Sequence, residues 1–185
     1  MNGTRLHLGS ALALLVAVLG TALVLAVDEP GEGAVMAGPH EAYQIVCAIL
    51  EDESWTDDGI MHIRNRKLAS VVISDSIAHA GVGTIVSSAD IDTVSGHLVY
   101  AGTLEIRPEA LDGSWSGVFF MLIDDAGLRG QAVLHGNGPD LDGMYVVSDL
   151  TPLPPAELEG FASACGGSPA IAGTRAVGTY HRLRP

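Results

Sequence analysis

The sequence predicts an all-β domain, a barrel or sandwich of eight or nine antiparallel strands, carried behind an apolar N-terminal segment. Three observations carry this prediction. From Tyr43 onward, apolar and polar residues alternate in short runs, the pattern of strands with one buried face. Gly, Asp, Asn and Ser clusters interrupt those runs; Asp124-Asp125-Ala126-Gly127 and the stretch from Gly138 to Gly143 suit tight reversals between antiparallel neighbours. Helical periodicity is confined to one short stretch, and no internal repeat marks a propeller or solenoid.

The elements follow in chain order. Leu8–Val27 contains no charged residue, follows a start whose one sure cation is Arg5, and ends abruptly at Asp28-Glu29-Pro30. A positive start, an apolar middle and small residues near the end make an export signal. Val24-Leu25-Ala26 places cleavage after Ala26. An uncleaved anchor is the alternative, since about 20 apolar residues can span a bilayer. Either fate puts the remainder outside the cytosol. Residues 27–40, with Gly31, Gly33 and Gly38, read as a flexible linker, and 41–185 as the domain.

Within the domain, the clearest strand is His97–Arg107. Leu98, Tyr100, Leu104 and Ile106 share one face, while His97, Thr103, Glu105 and Arg107 share the other. The other candidates are Tyr43–Leu50, Met61–Arg66, Leu68–Ser74, Gly83–Ser88, Trp115–Asp124, Arg129–Gly136, Met144–Asp149 and Ala176–Leu183. One helix is expected over Pro155–Ala164, opened by proline and closed by Gly166-Gly167.

Charge narrows the partners. The 185-residue chain holds 9 basic and 22 acidic residues. Only Arg5 precedes position 28, so the exported part sets 8 cations against 22 anions, a net charge of −14. Such a surface repels nucleic-acid phosphates and anionic headgroups. No nucleic acid is expected as a partner, and membrane contact is expected only through an uncleaved N-terminal segment.

Cys47 and Cys165 are the only cysteines. In an oxidising compartment such a pair forms a disulfide, here joining the first predicted strand to a point near the last. Two free, buried thiols are the alternative. Neither cysteine has a partner at two-residue spacing, which removes zinc ribbons and thioredoxin-like sites.

Motifs for catalysis fail on inspection. Gly113-Ser114-Trp115-Ser116-Gly117 resembles a nucleophile elbow, but Trp115 stands where serine is needed; a strand start with a core tryptophan is the better reading. Glu51-Asp52-Glu53 with Asp57-Asp58 fits no calcium loop and reads as a solvated loop. Asp90-Ile91-Asp92 reads the same way. His135-Gly136-Asn137-Gly138-Pro139-Asp140 is one copy of a pattern that binds calcium only when stacked, so a turn is expected. The seven histidines are scattered without metal spacing. No catalytic residue, metal ligand or cofactor is assigned.

Gly102-Thr103-Leu104, Gly113-Ser114-Trp115-Ser116-Gly117, His135-Gly136-Asn137-Gly138 and Leu141-Asp142-Gly143-Met144 give Gly96–Asp149 a resemblance to small bacterial barrels of the allene-oxide-cyclase-like kind. The resemblance implies an up-and-down antiparallel barrel of about eight strands with a cavity for an apolar ligand. That family's catalytic residues have no counterparts here, so its cyclase activity is not carried over. Two expectations follow: a non-catalytic exported barrel of unknown biochemical role that binds a small apolar molecule or simply serves the cell surface, or a barrel isomerase or cyclase acting on a lipid-like substrate. Candidate ligand-facing side chains are His97, Glu105, Arg129, Gln131 and His135. Arg129, Gln131 and His135 share one strand face, which lines either the interior or the solvent side.

Overall fold

A computed structural model describes residues 34–183 apart from Ile77. The N-terminal segment up to residue 33, including the cleavage position after Ala26, lies outside the described residues. The described chain forms a closed barrel in which eight strands pair in sequence order. The strands are β1 (Ala34–Asp57), β2 (Ile60–Ser74), β3 (Gly81–Asp92), β4 (Leu98–Pro108), β5 (Ser114–Asp124), β6 (Gly127–Asn137), β7 (Met144–Pro152) and β8 (Ala172–Leu183). Each pair from β1–β2 to β7–β8 is antiparallel. Closure removes the free edges an open sheet would expose.

Besides Asp90-Ile91-Asp92, which ends strand β3 rather than forming a loop, three elements depart from expectation. β1 begins at Ala34, inside the stretch 27–40 read as a linker. Gly38 does not break the strand, because it fits against the Tyr180 ring, which a Cβ would approach to 3.0 Å. The acidic stretch Glu51–Asp57 is strand rather than loop: β1 runs through it and turns at Asp58-Gly59. Asp58 and Gly59 have φ of 47° and 79°, the left-handed pair of a two-residue type I′ hairpin. The acidic side chains are solvated, as expected, but they sit on a hairpin. The third departure joins Met61–Arg66 and Leu68–Ser74 into the single strand β2. A register shift lies between Ile63 and Arg66, with Asn65 at φ 50°. This bulge re-phases the alternation, so Ile63 and then Arg66, Leu68 and Val72 face inward.

The expected helix is a single α turn, α1 (Pro155–Leu158), continued as a 3-10 segment over Glu159–Cys165 and ended by left-handed Gly166. It belongs to the long β7–β8 connection, which crosses the outside of β1. There Tyr43 meets Phe161 at 5.5 Å between ring centroids. Ile45 converges with Leu153 and Leu158 around Gly173, and Cys47 is bonded to Cys165. This explains why β1 is apolar on both faces: Ala42 and Val46 face the core, while Ile45, fully buried, lies under the strap. Ile171 N–H donates to the Val46 carbonyl, and Arg175 pairs with Glu41 at 2.9 Å, so the strap and β8 are tied to β1 by covalent, polar and apolar contacts.

The core fills one end of the barrel. Trp115, Leu141 and Val146 are almost wholly buried there, and Trp115 Nε1 donates to the Ala78 carbonyl at 2.6 Å. Leu141 reaches inward from the β6–β7 turn because Gly136 leaves room; a Cβ at 136 would stand 2.2 Å from the Leu141 carbonyl oxygen.

Candidate functional site: the barrel interior

Inward side chains do not fill the rest of the barrel. A cavity of about 270 Å³ remains, near the lower end of the range for small-molecule sites. Its walls are mainly aliphatic and aromatic, with Leu68, Ile85, Leu98, Phe119, Met121 and Leu134 among them. The reason is visible in the strands. Small residues at Ala42, Ala89, Ala132 and Ala176 alternate around the ring with larger ones, so an eight-stranded barrel that side chains can just fill is left hollow.

The polar groups on this wall are few. Gln44 Nε2 donates to Ser70 Oγ at 3.3 Å. Tyr100 packs on Phe119 at 5.0 Å, and burial raises its phenol above the ordinary range despite a hydrogen bond with Ser87. Arg66, brought inside by the β2 bulge, clasps Asp52 through Nε and Nη2, both at 2.9 Å. That bond holds the Asp52 carboxyl below its usual range. The two side chains retain 25% and 31% of their exposure, so water reaches the cavity on this side.

The floor is different. His79, in the loop between β2 and β3, stacks on Trp115 at 4.8 Å, and His40 of β1 lies 4.0 Å from His79. Both imidazoles line the cavity. His79 is 1% and His40 6% exposed. His79 Nδ1 and Nε2 and His40 Nδ1 have no hydrogen-bond partner. Burial lowers both basicities, that of His79 to about 3 with a further push from His40. Two neutral, buried imidazoles therefore close an apolar cup.

None of the five residues singled out from sequence lines this cavity. His97 bonds Asp125 at 3.0 Å, Glu105 pairs with Arg107 at 2.9 Å, Arg129 with Asp124, and Gln131 donates to Asp149 at 3.1 Å. His135 is exposed beside Tyr145. The face shared by Arg129, Gln131 and His135 is the solvent side of β6, as Ala132 and Leu134 between them are buried. Sequence reading did place Leu98, Tyr100, Leu104 and Ile106 on the inner face of β4, and all four line the cavity. It missed His40, His79 and Arg66. His40 was assigned to the linker, His79 lies in a loop without periodicity, and Arg66 shares a side with Arg64 unless the bulge is known.

Among the described residues no cluster of three or more metal-ligating side chains occurs, and no helix is long and apolar enough to cross a membrane. No protein-family model, curated protein or solved structure matches the chain.

Proposed function

We propose that this protein is an exported barrel that holds a small apolar molecule in its interior. The observation that carries the reading is the 270 Å³ cavity with its largely apolar wall. Burial of a ligand there would gain about 25 cal/mol per Å² of apolar surface removed from water. The disulfide fits an oxidising compartment, which agrees with the export signal read in residues 1–26. The turn-glycine resemblance to allene-oxide-cyclase-like barrels supports the same kind of ligand.

The test is binding of a neutral apolar dye, N-phenyl-1-naphthylamine, to the purified protein, with native mass spectrometry after exposure to lipid extract. Ala132→Phe fills the cavity from an inward position between Val133 and Gln131. Dye affinity is expected to fall at least about ten-fold, because overpacking a well-bounded space is costly, while the far-UV spectrum remains that of a folded β protein. Dye bound equally by both proteins, with no lipid mass retained, would count against an interior site.

A second reading, a barrel isomerase or cyclase for a lipid-like substrate, draws support from one observation: titratable imidazoles line the cavity. The magnitude weighs against it. General bases work best with a pKa near the operating pH, and His79 sits at about 3. An imidazole so weakly basic takes a proton poorly at neutral pH. Holding a ligand suits it better than proton transfer does.

A further inference from the structure

We propose that His40 and His79 form a polar floor that recognises an uncharged oxygen, an alcohol or a carbonyl, at the buried end of the ligand. This rests on the interior-binding reading above and names the chemistry of its ligand. His79 has both ring nitrogens free of partners and His40 has Nδ1 free. Buried polar groups in folded proteins are nearly always hydrogen-bonded, so an unpartnered pair facing a hollow is a standing demand for a partner. Among the described residues nothing in the packing meets it: the ring neighbours of His79 are His40, Trp115 and Tyr180, and the Trp115 N–H is already given to Ala78.

The charge state chooses among ligands. A neutral imidazole carries one N–H donor and one bare nitrogen acceptor. An alcohol answers both, and a ketone answers the donor. A hydrocarbon answers neither. A carboxylate would have to shed its water beside rings that burial keeps uncharged, with no cation at the floor among the described residues to compensate it. The permanent cation on the cavity wall is Arg66, part-exposed and already clasped by Asp52. The ligand is thus an apolar body with a neutral oxygen at its inner tip.

Displacement of N-phenyl-1-naphthylamine by four ten-carbon competitors tests this: decan-1-ol, decan-2-one, decane and decanoate at pH 7.5. The alcohol and ketone are expected to compete about ten-fold better than decane, the worth of one well-made buried hydrogen bond, and decanoate worse than either. His79→Phe keeps the ring stack and removes both nitrogens. It should shrink the alcohol's advantage over decane, read as the ratio of the two competition constants within the same protein, at least about three-fold. In histidine-labelled wild-type protein, decan-1-ol should also shift the imidazole nitrogen resonances, a readout independent of the variant's folding. Equal competition by decanol and decane would overturn the floor, as a trapped water would then suffice, and would leave the apolar cavity standing. Decanoate as the best competitor would overturn it too, moving recognition to Arg66. If the dye itself does not bind, the interior-binding reading fails and the floor with it.

Discussion

Reducing the Cys47–Cys165 bond is expected to lower the thermal midpoint by about 10–20 °C. The two cysteines are 118 residues apart. For a loop of that length the chain-entropy argument gives about 4–5 kcal/mol. In a domain of roughly 150 residues each kcal/mol is worth about 2–4 °C. Placement adds to length. The bond fastens the β7–β8 strap over the outer face of β1, beside the contact of Tyr43 with Phe161 and the cluster of Ile45, Leu153 and Leu158. Loss of the tether lets water compete for an apolar face that no strand covers. Differential scanning calorimetry with and without reductant, and of a Cys47→Ala/Cys165→Ala double variant, measures this. Matching midpoints for oxidised and reduced protein would show that the strap holds by packing alone.

Much of the fold was legible in the sequence because a barrel made of consecutive hairpins writes itself locally. Each strand pairs with its neighbour in the chain, so alternation and turn residues carry nearly all the topology. Leu98, Tyr100, Leu104 and Ile106 show this: a two-residue period was enough to put them inside. The misses share a cause. Asp58-Gly59 is a strong hairpin signal, but the surrounding acidic residues hid it, because β1 and β2 extend beyond the core as an exposed ladder in which alternation has no apolar partner. Arg66 was hidden by the bulge at Asn65, since a one-residue slip moves every later side chain to the other face.

The candidate site was less legible still. Its polar groups come from a strand's early residues and a loop, His40 and His79, which share no period and lie 39 positions apart. Only closure of the barrel brings them to 4.0 Å. By contrast, His97, Glu105, Arg129 and Gln131 have the regular spacing that attracts notice, and that regularity belongs to the outer face. There each is matched by a surface partner such as Asp125 or Asp149. A polar residue on a clean alternating strand belongs to solvent; the polar residues that matter to a hollow barrel interrupt an apolar face.

Acid should therefore unfold this protein sooner than its carboxylates alone would. His79 titrates at about 3 in the folded barrel, against an ordinary value of 6.5 that the unfolded chain regains. Between these values the unfolded state binds more protons than the folded one, so stability falls as pH falls, by about 1.4 kcal/mol per unit for one such group. From pH 7.5 to 4.5 the His79 share is about 2–3 kcal/mol, and His40, shifted in the same direction, adds to it. Carboxylates with lowered pKa, Glu41, Asp52, Asp90 and Asp92, lose their contribution only below about 4.5, so the interval from 6.5 to 5 belongs to the histidines. The ring neighbours His40, Trp115 and Tyr180 include no carboxylate that would hold a charged His79 in place. Urea unfolding at several pH values reads the slope directly. Wild-type stability is expected to drop through this interval, and His79→Phe to remove at least half of the drop while leaving the loss below pH 4. Parallel curves for the two proteins would mean that His79 meets water or an anion in the folded state, and that the floor of the barrel is wet.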